Sequence, residues 1–85
     1  MKEFTYTITD LLGVHARPAQ EIIDVVKKFN SDVKVVFKGQ EIDITDLTAF
    51  VELGIAHKDE IKVLVDGEDE EIVTRALKEA FEKYL

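Results

Sequence analysis

The chain has no cysteine, so neither a disulfide nor a thiolate metal site can staple its fold. Nor does any apolar run approach the roughly 20 residues a membrane-spanning helix needs. Met1-Lys2-Glu3-Phe4 opens an alternating strand where a secretory leader would carry an apolar stretch, so a cytoplasmic home is the expectation. Positive charge is scarce: 11 Lys and Arg against 18 Asp and Glu leave a net charge of −7. That balance argues against a nucleic-acid backbone as partner and against an anionic membrane surface. Charge-steered partners should instead offer a basic rim. A glycine-rich nucleotide loop, an HExxH helix and an EF-hand pattern are all missing. The chain is therefore expected to bind no ATP, no metal and no cofactor.

What is present is an ordinary globular balance, 46% hydrophobic and 34% charged, over 85 residues. That length makes one domain, residues 1–85, with a modest core. Glu3 to Thr9 sets Phe4, Tyr6 and Ile8 against Thr5, Thr7 and Thr9, a half-buried strand. A helix from about Ala16 to Phe29 follows, its apolar face Ala16, Ala19, Ile22, Ile23, Val26 and Phe29. Asn30-Ser31-Asp32 reads as a turn. Val33, Val35 and Phe37 form the face of a second strand, Lys38-Gly39 a hairpin tip, and Ile42 and Ile44 a third strand. A short helix should run from about Leu47 to Leu53, with Thr45 or Asp46 as N-cap and Gly54 just past its end. After the loop Ala56-His57-Lys58-Asp59 comes a fourth strand on Ile61, Val63 and Val65. The acidic stretch Gly67–Glu71 then starts a last helix, striped by Ile72, Val73, Ala76, Leu77, Ala80, Phe81 and Tyr84.

Three amphipathic helices have one economical way to bury their stripes, which is a shared sheet face. The order βαββαβα therefore predicts an α+β two-layer open-faced sandwich. Pattern alone also permits a ferredoxin-like arrangement.

One stretch points to chemistry: Gly13-Val14-His15-Ala16-Arg17-Pro18-Ala19. Pro18, the only proline, lies in the first turn of the first helix, where a missing amide hydrogen costs nothing. Gly13 gives the chain freedom to turn out of the preceding strand. His15 consequently falls at the N-cap edge, above amides that have no partner within the helix. Helix N-termini bind phosphate for that reason, and Arg17 adds a planar fork suited to phosphoryl oxygens. The dipole is worth only about 0.3–2 kcal/mol, enough to tune how a phosphoryl group arrives and leaves but too little to trap it.

The segment Leu12-Gly13-Val14-His15-Ala16-Arg17-Pro18-Ala19 resembles the active-site motif of the HPr family, the histidine-containing phosphocarriers of the bacterial phosphoenolpyruvate:sugar phosphotransferase system (PTS). The resemblance extends over nearly the whole chain, including Leu53-Gly54-Ile55. It implies a four-stranded antiparallel sheet in the βαββαβα order, with helices on one face. It also implies that Enzyme I, charged by phosphoenolpyruvate, donates to the δ1 nitrogen of His15, and that EIIA-type domains accept from it. Arg17 and the amides around Ala16 and Arg17 would clamp the phosphoryl group. Ala16, Gln20, Leu47, Thr48 and Val51 would form the docking face, some of them shared with the core. The carrier would be a monomer, with a transient phosphohistidine and no stand-alone catalysis.

Two departures qualify that picture. Asp46 stands where many relatives carry a serine that a regulatory kinase phosphorylates, and is either a plain N-cap or a permanent anionic stand-in. Asp24, Ala49 and Glu52 replace basic or neutral polar residues, which bears on which partners recognise the face. His57, without a second ligand at metal spacing, reads as a solvated loop residue, and Gly67–Glu71 as a solvated helix start. The alternative function is an HPr-like regulatory interaction domain that binds partners without turning over phosphate.

Overall fold

A computed structural model describes residues 1–85. In chain order the elements are β1 (Lys2–Thr7), α1 (Ala16–Val26), β2 (Ser31–Phe37), β3 (Gln40–Asp43), α2 (Leu47–Glu52), β4 (Glu60–Gly67) and α3 (Glu70–Tyr84). The strands form one sheet in the order β1-β4-β2-β3, every neighbouring pair antiparallel. Register aligns the apolar alternation across strands: Phe4 opposes Val63, Val63 opposes Val35, and Val35 opposes Ile42. A one-residue slip would turn every one of these side chains to solvent, which fixes the pairing. All three helices lie over that face. The other face is mostly polar, with Val36 and Leu64 half-buried among exposed cross-strand pairs Lys34–Glu41 and Lys62–Glu3 at 3.4 and 3.5 Å, each worth about 0–1 kcal/mol.

Phe50 from α2 and Phe81 from α3 are fully buried and anchor the core. Phe81 meets Tyr6 and Phe4 edge-on at 5.4 and 5.8 Å between ring centres, the geometry aromatic quadrupoles prefer. No helix is long and apolar enough to cross a membrane.

The expected order holds, and the differences are local. The regular part of α1 stops at Val26 rather than Phe29, because Lys28 and Phe29 donate to Val25 and Val26 in a tightened last turn. Asn30-Ser31-Asp32 is not a free turn: Ser31 already belongs to β2. Ala16 is exposed, since the first position of α1 extends past the core. Ile72 is also exposed. The buried stripe of α3 is Val73, Leu77, Ala80 and Phe81, and Ile72 stands about 100° off that line. The cap of α2 is Asp46, whose carboxylate accepts from the Ala49 amide at 3.1 Å, while the Thr45 hydroxyl donates to Asp43.

Asp69 explains why β2 starts early. Its carboxylate accepts from the Ser31 hydroxyl and, at 2.8 Å, from the Asn30 amide. The Ser31 hydrogen bond, then the Asn30 one, hold its carboxyl below the ordinary range. A depressed folded-state pKa contributes stability that is present above the unfolded value and lost as pH falls through the folded one. Asp69→Asn is therefore expected to be less stable than the parent at neutral pH, the gap closing in acid. Urea midpoints measured from neutral pH to about pH 2 check this; a gap that stays constant across the range would refute it.

Candidate functional site

Between β1 and α1 the chain is pinned at almost every residue. The Ile8 amide donates to Asp59 at 2.9 Å, and Lys58 donates back to the Ile8 carbonyl at 2.8 Å. The amides of Thr9 and Asp10 both donate to the Leu85 oxygen, at 2.6 and 2.7 Å, and the Thr9 hydroxyl joins them at 3.0 Å. Asp10 then opens a turn. Its carbonyl accepts from Gly13 at 3.0 Å and its Oδ1 from the Leu12 amide at 2.8 Å. Gly13 adopts φ +70°, and Val14, buried, donates to the Ile55 carbonyl at 2.9 Å. A rigid strap thus delivers the next residue to a fixed place.

That residue is His15, the N-cap of α1. Its backbone is extended (φ −136°, ψ 173°) and its carbonyl accepts from Ala19 at 3.1 Å. The imidazole makes no capping hydrogen bond and its side chain is 40% exposed. Ala16 and Arg17 occupy the first two helical positions, so their amides have no intrahelical acceptor. Pro18, third, has no amide hydrogen and is buried as the floor of the turn. Arg17 is exposed, and its guanidinium has no hydrogen-bond or ion-pair partner. A shallow cavity collects these groups, lined by Asp10, His15, Arg17, Pro18, Glu21 and Tyr84. Two free amides, a free guanidinium and an accessible imidazole can receive an anion. Two carboxylates on the same rim keep the site from holding it tightly.

Of the residues singled out in the sequence, His15 and Arg17 line one cavity, and Ala16 stands between them at the first position of α1. Gln20 lies one turn further along α1, half-buried, its amide donating to Asp24 at 2.9 Å. On α2, which packs against α1, Thr48 is exposed while Leu47 and Val51 are half-buried against the core. Ala49 and Glu52 line a separate groove with Gln40, Glu41 and Ile42 of β3. Asp46 caps α2 through one carboxylate oxygen.

His57 corrects the sequence reading: it is half-buried, and its Nδ1 is enclosed without a partner. Its loop is strapped to Ile8, which draws the ring inward. The acidic stretch is also more than a solvated helix start. Asp69 ties down β2, and Glu70 accepts from the Gly67 amide at 3.3 Å.

Sequence reasoning missed Asp10, Glu21, Tyr84, Leu11 and Leu12. Asp10 Oδ2 stands 3.9 Å from His15 Nε2, and Leu11 and Leu12 are 81% and 76% exposed beside it. A signal for the turn was available, since Asp at the first and Gly at the fourth position mark a β-turn. Neighbouring leucines inside such a turn have no core to enter.

Comparison with known proteins bears directly on this site. Residues 2–83 match the family model PTS-HPr, described as the PTS HPr component phosphorylation site. Phosphocarrier protein HPr of Mycoplasma genitalium is 40% identical over 84 residues, covering 98% of this chain and 96% of that protein. The crystal structure of HPr-C-His from Thermoanaerobacter tengcongensis superposes with a TM-score of 0.91 at 30% identity, covering 99% of this chain and 94% of that one. An HPr dimer from the same organism superposes at 0.76, also at 30% identity, covering 98% and 95%.

Proposed function

The chain belongs to the HPr family, the phosphocarriers of the PTS, and from that premise we propose that His15 is its phosphoryl acceptor. One observation carries the reading: His15 caps α1 beside the unpaired amides of Ala16 and Arg17, with the Arg17 guanidinium free. The donor is Enzyme I charged by phosphoenolpyruvate, and EIIA-type domains are the acceptors. In this reading the protein works in the cytoplasm as a monomer.

Transfer follows from the geometry. The lone pair of one His15 ring nitrogen forms the new N–P bond as the bond from phosphorus to a phosphorylated histidine of Enzyme I breaks, and that donor ring keeps the electron pair. Phosphoryl oxygens meet the Ala16 and Arg17 amides and the Arg17 fork, so positioning and charge stabilisation supply the catalysis. Chemistry proceeds only when a second protein brings the phosphoryl group, so the chain is a carrier rather than a stand-alone enzyme. The partner docks on Ala16, Gln20, Leu47, Thr48 and Val51, and the exposed Leu11 and Leu12 extend that apolar area past His15. A purely regulatory interaction domain is not favoured, because the match to phosphocarriers runs over nearly the whole chain.

The test is incubation with phosphoenolpyruvate and catalytic Enzyme I, which should load one acid-labile phosphoryl group per chain. Arg17→Glu should slow loading at least tenfold, about 1.4 kcal/mol of barrier, with an unchanged circular dichroism spectrum. An unchanged rate removes Arg17 from the mechanism.

A further inference from the structure

We propose that Asp10 selects the nucleophilic nitrogen of His15, holding the ring proton on Nε2 and leaving the Nδ1 lone pair open to phosphorus. This rests on His15 being the acceptor, and it assigns a positioning role to a residue outside the helix that carries the site.

The argument begins with how Asp10 is fixed. Its amide donates to Leu85, its carbonyl accepts from Gly13, and its Oδ1 accepts from the Leu12 amide. Backbone and one carboxylate oxygen are thereby immobilised, and only Oδ2 remains free. That oxygen lies 3.9 Å from Nε2 of His15 and belongs to the only carboxylate within 4 Å of the ring nitrogens. Nδ1 has no hydrogen-bond partner. The other charged or titratable groups around the cavity are Arg17 and Glu21 from α1 and Tyr84 from α3, and none hydrogen-bonds to the imidazole.

A neutral imidazole carries its proton on whichever nitrogen faces an acceptor, so its partner decides which nitrogen is the nucleophile. A separation of 3.9 Å exceeds a hydrogen bond. Closing it takes about 1 Å of side-chain movement, and such bonds are commonly long before a partner binds. The proton balance favours the same assignment. When the Nδ1 lone pair forms the N–P bond, the donor keeps the electrons of the bond it loses, and no proton leaves His15. The ring, still protonated at Nε2, becomes cationic. Asp10 then faces that charge with a carboxylate, the combination of tautomer control and cation stabilisation that a buried aspartate gives the histidine of a hydrolase triad. On release the electron pair returns to Nδ1, and the ring is ready again.

Asp10→Asn separates this role from a structural one. The asparagine oxygen still accepts from Leu12, so the turn is retained, and its NH2 is left facing Nε2. A donor there favours the opposite tautomer. Ring nitrogen NMR of the unphosphorylated protein, with the imidazole neutral, reads the ratio directly. In Asp10→Asn the Nε2–H to Nδ1–H ratio should fall at least threefold, and phosphoryl loading by charged Enzyme I should slow about tenfold in kcat with little change in KM. Thermal stability should be retained by Asp10→Asn and lowered by Asp10→Ala, which loses the turn bond as well. An unchanged tautomer ratio in Asp10→Asn overturns the proposal. The ratio needs no phosphoryl group, so it is independent of the carrier reading, which fails on its own terms if the parent protein takes up no phosphoryl group.

Discussion

In His15→Ala, incorporation of phosphoryl groups from phosphoenolpyruvate and Enzyme I falls to background while the fold is unchanged. Both halves of that expectation come from the environment of one side chain. The imidazole makes no hydrogen bond that holds α1 in place, so its removal should change stability by no more than about 0.5 kcal/mol. The capping that matters, the His15 carbonyl accepting from Ala19, is a backbone bond that alanine also makes. No other group can take over the chemistry. His57, the only other histidine, is half-buried with one ring nitrogen enclosed. The Ser31 hydroxyl is held by Asp69 and the Thr45 hydroxyl by Asp43. Mass spectrometry under alkaline conditions, which preserve phosphohistidine, reads the result, and calorimetry confirms the fold. Loading retained by His15→Ala would move the acceptor elsewhere and undo the assignment.

Much of this molecule was legible in its sequence. Alternation in β2 and β4 and the 3.6-residue stripe of α3 are strong periodic signals, and they determined element order and layer arrangement. His15, Ala16 and Arg17 were legible because a histidine just before a proline-bearing first turn has one place to stand. What stayed hidden depends on contacts distant in sequence. Asp69 reaches back 39 residues to Asn30, so the segment around Ser31 looked like a free turn. The Asp10–Gly13 turn has a local signal, but nothing local shows that Leu85 would hold its first residue toward His15. Ala16 and Ile72 fit an apolar pattern but have no core beside them, since periodicity reports the face a residue occupies and not where the neighbouring layer ends.

Gly13→Ala is expected to be among the most damaging single-atom additions in the chain, and Gly54→Ala measures why. Both glycines have φ near +70°, a region that costs a residue with a Cβ roughly 1–2 kcal/mol. Around Gly54 an added Cβ meets nothing within 4 Å, so strain is the whole cost. At Gly13 the same atom would collide with the Ile55 carbonyl oxygen and fall 2.9 Å from the Ala56 Cα, both backbone. Neither can swing aside as a flexible side chain could, so the strap must separate from the 54–56 segment and the Val14–Ile55 hydrogen bond lengthens. A cost of about 3 kcal/mol or more is expected from strain, contact and the weakened bond together. That is a large part of the roughly 4–13 kcal/mol available to a domain of this length. Urea midpoints give the stability difference between the two variants, and loading by Enzyme I gives its functional counterpart. Gly54→Ala should load at the parent rate, while Gly13→Ala loads more slowly even where it remains folded, because Val14 positions His15 over the amides. Equal midpoints for the two variants would mean that the strap does not press against the 54–56 segment. The rigidity that aims Asp10 and His15 at one another would then have to come from α1 alone.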